Sequence, residues 1–393
     1  MPLTPRDRLR TALAHREPDR VPFDVGSTQV TSLASGAQRR LRAHLGLPEA
    51  PVQISDRVQQ LDHAAEDLLR VLGVDTRGLW PQNARNAPIE ETDDGTHLSH
   101  VDEWGLTYRI PRGGAFWYDL AASPLAGGAL TRQRIDAHPW PRGDDPRQFA
   151  HLRAEAEAHR KAGYAVVLKS LCAGLFEMAQ RLRGMEAFLM DLVESPAEAS
   201  HLLDRVLEAK RDYWRAALAA LGDLVDVTAE GDDYGTQQSM LVSPATFRSF
   251  FKPRLAELVR AMKQGAPDAF VFFHSCGSVR KILPDFIEIG IEVLNPVQTT
   301  AAGMEPVALK RDFGKDLSFW GGGVDTQAIL PRGTPADVAD DVRRNVDALA
   351  PGGGFVFCTV HNIQADVPPQ NVVAMVEALR GQALPLRAAG VRS

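Results

Sequence analysis

The chain is poor in the features that mark special classes of protein. It has three cysteines in 393 residues, Cys172, Cys276 and Cys358. An odd and sparse count argues against a disulfide framework and fits a reducing cytoplasm. It has no uninterrupted apolar run long enough to span a bilayer. Its opening, Met1 to Asp7, has no apolar core of a secretory signal, so none is expected. It lacks an excess of one charge: 44 Lys and Arg stand against 50 Asp and Glu, a net charge of −6. Nothing in that balance suits nucleic acid or an anionic membrane. A glycine-rich phosphate loop is missing too. Gly321-Gly322-Gly323 lacks the spacing of such a turn, and Gly352-Gly353-Gly354 precedes a strand. What remains is an ordinary globular composition, 44% hydrophobic and 24% charged.

Against that background one stretch stands out, Val271-Phe272-Phe273-His274-Ser275-Cys276-Gly277-Ser278. Residues 269–273 read as a short buried strand. Ser278 reads as the N-cap of a following helix. His274 and Cys276 are two apart, so extended backbone points both the same way. Further on, Gly354-Phe355-Val356-Phe357-Cys358 is again an apolar run ending in cysteine. Two thiols and an imidazole are the ligand set expected for zinc, and three protein ligands leave a fourth position open for substrate. The competing readings are a core histidine with two buried apolar thiols, and a disulfide between Cys276 and Cys358. The second is disfavoured by the compartment.

The rest of the chain alternates strands and helices. Thr4-Pro5-Arg6-Asp7 opens a helix, with Thr4 as N-cap and Pro5 at its first position. Strands are expected near residues 21, 75, 165, 226, 271, 292, 318 and 356. Helices are expected near 31–46, 57–72, 147–162, 175–193 and 196–221, from Ser243-Pro244 to about 264, after Ser278, and from Pro368-Pro369 onward. Residues about 83–145 break this rhythm. Alternation in 98–110 and the Gly113-Gly114 turn predict antiparallel hairpins. Eight parallel βα units predict an α/β protein of the (β/α)8 TIM-barrel type, one domain over 1–393, with the hairpin region inserted. Such barrels place their chemistry at the C-terminal strand ends. Each polar cluster here follows a strand: Glu230 and Asp232, His274 and Cys276, Asn295, Asp325, and Cys358 with His361 and Asn362.

Three motifs carry a resemblance. They are Gly231-Asp232-Asp233-Tyr234-Gly235-Thr236-Gln237, His274-Ser275-Cys276-Gly277-Ser278 and His361-Asn362-Ile363-Gln364-Ala365-Asp366-Val367-Pro368-Pro369. Together with Pro18-Asp19-Arg20-Val21-Pro22 and Val101-Asp102-Glu103-Trp104-Gly105, they resemble the uroporphyrinogen decarboxylase superfamily over nearly the whole chain. The resemblance implies the (β/α)8 barrel. Its decarboxylases carry an arginine-bearing loop after the first strand. Here that loop is Gly26-Ser27-Thr28-Gln29-Val30-Thr31-Ser32, and no arginine occurs before Arg39. A polycarboxylate substrate is hard to hold without that guanidinium. The other branch comprises zinc methyltransferases that work with a corrinoid protein, and their His-x-Cys and distant Cys map onto His274, Cys276 and Cys358.

The resemblance therefore implies transfer of a methyl group from a methylated corrinoid on a separate protein to tetrahydrofolate or a thiol. A decarboxylase-like lyase acting on a carboxylated substrate is the alternative. Glu230 and Asp232 are candidate catalytic residues, as a fourth ligand or a partner of the histidine, with loop capping as the competing role. His361 is a third catalytic candidate. Asn295, Asp325 and Asn362 are candidates for cofactor contact. No corrinoid is expected to be held by the chain itself. The Asp-x-His-x-x-Gly motif is missing, since Asp136-Ala137-His138 lacks the glycine. The carboxylates and few bases near the strand ends favour the folate. A homodimer is a possible assembly.

Overall fold

The computed structural model describes residues 2–82, 89–171, 173–381 and 384. Cys172 and the start of the hairpin region at 83–88 lie outside them. The fold class is α/β, as expected. Seven parallel strands stand in sequence order in one sheet: β1 (Thr76–Leu79), β2 (Ala165–Lys169), β3 (Val227–Gly231), β4 (Phe270–His274), β5 (Val293–Asn295), β6 (Ser318–Trp320) and β7 (Phe355–Val356). The chain divides into two compact units. The first comprises residues 1–78, 159–167 and 292–393, and the second 79–158 and 168–291. Among the described residues, no helix is long and apolar enough to cross a membrane.

The first unit shows why seven strands appear where eight were expected. The segment 22–24 sits in the first-strand position but, among the described residues, makes a single bridge, Phe23 to Phe357. On one side Asp24 N donates to Phe357 O (2.9 Å) and Phe357 N to Pro22 O (2.8 Å). On the other, Asp75 N donates to Phe23 O (2.8 Å). Phe23 N is taken by the Asp75 carboxylate (2.9 Å), not by a neighbouring strand. Pro22 has no N–H to add to a ladder, and Gly26, at φ +87°, turns the chain away. Asp75 is itself fully buried and is balanced by Arg8 (2.7 Å) and Arg20 (2.7 Å).

The expected helix 57–72 is shorter, Glu66–Leu72. The segment before it joins a small antiparallel sheet of Leu33–Ala34, Leu61–Asp62 and Ile54–Asp56. Gln60 has φ +53°, which a right-handed helix cannot contain. Asp62 ties this sheet down by accepting from Gln53 N (2.6 Å) and Gln38 Nε2 (2.8 Å). The expected helix 31–46 is correspondingly trimmed to Ser35–His44.

In the second unit the hairpin region is present as a four-stranded antiparallel sheet: Glu91–Asp93, His97–Val101, Thr107–Pro111 and Asp119–Ala122. The helix Pro196–Leu221 has the predicted bounds. The helix expected at 175–193 is two, Leu175–Arg183 and Met185–Glu194, broken at Gly184 with φ +92°. The helix begun by the Ser243 cap passes through a π turn, Phe247–Phe251, before continuing as Lys252–Gly265. Pro253 explains the π turn, because proline offers no N–H to the preceding turn and crowds its carbonyl. Ser278 is not an N-cap. Its N–H donates to Thr236 O (2.8 Å), and the next helical turn starts at Arg280.

Candidate metal centre

The second unit carries the His-x-Cys pair on a pair of interlocked loops. Strands β3 and β4 run parallel in register, with Gly231 opposite His274. His274 is therefore the last residue of β4, and Cys276 follows in the loop. His274 Nε2 and Cys276 Sγ converge to 3.4 Å. The loop after β3 grips this corner at four points. Asp232 N donates to His274 O (2.8 Å), and Ser278 N to Thr236 O (2.8 Å). Tyr234 N donates to Ser275 Oγ (3.2 Å), and Cys276 N to Asp233 Oδ1 (2.8 Å). Contact is so close that a Cβ on Gly235 would lie 2.6 Å from Cys276 O. One on Gly277 would lie 2.4 Å from the Gly235 carbonyl carbon, and Gly277 has φ +83°. Glycine is required at both places.

Below this loop is an aromatic floor. The Tyr234 ring is fully buried, stacked on Phe176 at 5.7 Å and edge-on to Phe247 at 4.9 Å. Its hydroxyl donates to Asp232 Oδ2 (2.7 Å). Asp232 also accepts from Phe176 N (2.7 Å) and Glu177 N (2.9 Å), the first turn of the helix Leu175–Arg183. Gly174 is needed beside it, since a Cβ there would fall 2.2 Å from the Asp232 side chain. Burial pushes the Asp232 carboxyl up to about 7, against the pull of the two backbone N–H groups and the tyrosine. Asp232 thus caps a helix. Glu230 has a separate partner set: Lys210 Nζ at 2.8 Å, with both side chains buried, and Trp214 Nε1 at 2.8 Å.

The carboxylate beside the His–Cys pair is Asp233, which sequence reasoning treated only as part of the loop. Its Oδ1 is 3.6 Å from His274 Nε2, and its side chain is 40% exposed. The signal that could have found it is spacing. Residues 230, 232 and 233 cannot all face one way, and the parallel register sets which one meets the loop after His274. Burial raises the Cys276 thiol well above its usual range, and Asp233 and then Glu177 push it further. A thiol so placed stays protonated without a cation.

The first unit holds the remaining candidates. Cys358 is buried, directly after Phe357, and its thiol is raised well above the usual range by burial and then by Asp24. Asp24 is fully buried, accepting from Thr76 Oγ1 (2.5 Å) and Trp320 Nε1 (3.0 Å), and burial raises its pKa. It was not anticipated, because it sits in a stretch read simply as a strand. Cys276 and Cys358 are both free thiols. Asn295 donates to Trp320 O (2.7 Å), linking β5 to β6. Asp325 accepts from the N–H groups of Gln327, Ala328 and Ile329 and so caps the turn Ile329–Arg332. Asn362 accepts from Ser32 N (2.7 Å) and donates to Gln29 O (2.9 Å) and Gln59 Oε1 (2.8 Å). His361, beside it, is half-buried.

The family model for uroporphyrinogen decarboxylase (URO-D) matches residues 130–382, more than half of the chain. The chain belongs to the URO-D family. Among curated URO-D relatives, the uroporphyrinogen decarboxylase of Methylococcus capsulatus is 25% identical over 189 residues, which is 48% of this chain. The match spans half the length of that relative. Among solved structures, a methyltransferase from Methanosarcina mazei superposes with a TM-score of 0.63 at 19% identity, covering 96% of this chain and 99% of that one. The shared fold supports the TIM-barrel-like α/β class for this URO-D family member.

Proposed function

We propose that this URO-D family member is a zinc-dependent methyltransferase. One observation carries the reading: the 3.4 Å separation of His274 Nε2 and Cys276 Sγ. Zinc binds imidazole nitrogen at about 2.0–2.1 Å and thiolate sulfur at about 2.3 Å, so two tetrahedral ligands stand roughly 3.5 Å apart. The pair already has that spacing. Cys358 supplies the third ligand in this reading. His361 is a further candidate, an imidazole three residues beyond Cys358. The similarity to a protein described as a methyltransferase is in keeping with the proposal.

Bound zinc supplies positive charge that lowers the pKa of a thiol or polarises an acceptor. The chain's own residues do the rest. Cys276 and Cys358 must each give up a proton on binding the ion, because burial holds both thiols protonated. Asp233 fixes the Cys276 backbone and lies beside the His274 ring, where it can order that imidazole. The reaction in this reading would move a methyl group, as a methyl-cation equivalent, from a methylated corrinoid on a separate protein, leaving cobalt as cob(I)alamin, to the nitrogen of tetrahydrofolate or the sulfur of a thiol, which would give up its proton, with the folate favoured. In this reading Glu230, Asp232, Asn295 and Asp325 build the loops and do not touch substrate. A decarboxylase reading is less favoured, because the 26–32 loop contains no arginine or lysine for a polycarboxylate.

The test is direct. Purified protein is supplied with methylcob(III)alamin and either tetrahydrofolate or a thiol, and with a porphyrinogen in parallel. Methyl transfer that disappears with zinc removal is the expected result. Porphyrinogen decarboxylation that survives zinc removal would overturn the reading.

A further inference from the structure

The strand ends hold one cation that the metal centre does not use. Of the last residues of the seven strands, only Lys169, at the end of β2, is a lysine or arginine. Residues 165–168 before it are buried, whereas Lys169 and Trp80 are half-buried. The lysine has a seat: its Nζ lies 5.2 Å from the centre of the Trp80 ring, a cation–π arrangement. Register explains the meeting. Ala165 N donates to Asp75 O (3.1 Å), which sets Ala165 beside Thr76 in the parallel ladder. The same register carried forward sets Lys169 beside Trp80. Alternation fixes the face. Arg77 pairs with Glu66 of the helix Glu66–Leu72 (2.7 Å), so Thr76, Gly78 and Trp80 lie on the face turned away from that helix. Glu230 of β3 pairs with Lys210 of the helix Pro196–Leu221, so Gly231 and its register partner His274 lie on the face turned away from that one. Strands in sequence order with right-handed crossovers carry their helices on one face. Lys169 and His274 therefore share the other. Only β3 stands between β2 and β4, so the two strand ends are two spacings apart, about 10 Å.

The acids of this corner have other partners. Lys210 and Trp214 hold Glu230, two helix N–H groups and Tyr234 hold Asp232, and Arg181 holds Glu177. Asp233 accepts from Cys276 N. A half-open ammonium on the face that carries His274 suits an anionic group of a ligand that reaches the metal centre. We propose that Lys169, seated on Trp80, anchors a carboxylate tail of the methyl acceptor while the accepting atom lies at the His274–Cys276 pair. The proposal rests on the methyltransferase reading and deepens it, because it specifies an acceptor whose carboxylate stands about 10 Å from its reactive atom. Tetrahydrofolate has that shape: an aminobenzoyl spacer separates its pterin ring from its glutamate carboxylates. A short anionic thiol such as 2-mercaptoethanesulfonate does not, because its charge sits too close to its sulfur to span two strands.

The experiment is calorimetric titration of the full-length protein with tetrahydrofolate and, separately, with 6-methyltetrahydropterin, which has the same ring and no tail. Wild type is compared with Lys169→Met, which keeps the alkyl stem and removes the charge, and with Lys169→Arg, which keeps the charge. The expected result is that wild type prefers tetrahydrofolate and that Lys169→Met raises its Kd roughly tenfold or more, the usual effect of losing a charged hydrogen bond. The Kd of 6-methyltetrahydropterin should stay within about twofold of wild type, because that ligand has no group for Lys169 to hold. Lys169→Arg should restore most of the preference. Should Lys169→Met fail to fold, the preference of wild type for tetrahydrofolate should itself shrink as salt is raised. A preference that salt leaves unchanged, equal weakening of both ligands in Lys169→Met, or no binding of tetrahydrofolate to wild type overturns the anchor. Lysine-dependent binding of tetrahydrofolate without any methyl transfer from methylcob(III)alamin leaves the anchor standing and sinks the methyltransferase reading. Zinc-dependent methyl transfer to 2-mercaptoethanesulfonate by a protein that ignores tetrahydrofolate keeps that reading and sinks the anchor.

Discussion

The loops after β3 and β4 and the loops around Asn362 both hold polar side chains at strand ends, but by opposite means. In the second unit, carboxylates do the holding. Asp232 takes two helix N–H groups and a tyrosine hydroxyl, Asp233 takes Cys276 N, and Glu230 takes a lysine and an indole. In the first unit, amides do it, and two amide oxygens are left over. The difference follows the chemistry expected of each place. On the proposed zinc reading, the His274–Cys276 corner is held in advance by carboxylates that take backbone N–H groups.

The largest effect that would break this contrast is expected at Lys210. Replacing it with methionine leaves Glu230 buried without its cation, and such losses cost about 3–5 kcal/mol. Urea denaturation should show that loss, and Lys210→Met/Glu230→Gln should recover most of it. A double variant as unstable as the single one would mean that the ion pair is not what holds the end of β3.

Next comes Gly277→Ala, at φ +83° and against the Gly235 backbone. It should destabilise by about 1–3 kcal/mol, and it should lower zinc occupancy while the far-UV dichroism is unchanged. Full occupancy in the variant would show that the loop contact does not position Cys276. An effect of similar size, about 1–3 kcal/mol, is expected for Asn362→Leu, which strands Ser32 N. Here zinc content should stay at the wild-type level. That outcome separates the amide cluster from the metal centre; a loss of zinc would merge them.

The last expected effect is a pH dependence. Asp232 is raised in the folded protein to about 7 from an ordinary value near 3.8. A raised carboxyl favours the folded state fully below the unfolded value, and the advantage is lost as pH rises through the folded one. Metal-free wild type should therefore lose stability relative to Asp232→Asn between about pH 4 and pH 7, measured by urea midpoints. A gap that widens in favour of wild type over that range would contradict the assignment.

Much of this was legible in the sequence. The Thr4 and Ser243 caps, the helix Pro196–Leu221 and the antiparallel region all follow from local rules, and the structure has them. The placement of His274 at a strand end follows from an apolar run meeting a polar triplet. What was not legible depended on partners far away in sequence. The segment 22–24 fails to become a strand because Asp75 takes its N–H. The three carboxylates 230, 232 and 233 look interchangeable until the helix at 175, the helix bearing Lys210 and the loop at 276 each claim one. Ser278 looked like a cap, but Thr236 claims its N–H. Asp24 and the glutamine cluster carry no local pattern at all; only the fold shows that Asp24 is buried and that Gln29, Gln59 and Asn362 meet.

The most direct measurement is the zinc content of the protein purified without chelators, for wild type, Cys276→Ser and Cys358→Ser, with folding checked by dichroism. The account predicts about one zinc per chain in wild type and substantial loss in both folded variants. Wild type without zinc, or full zinc in both variants, would contradict it.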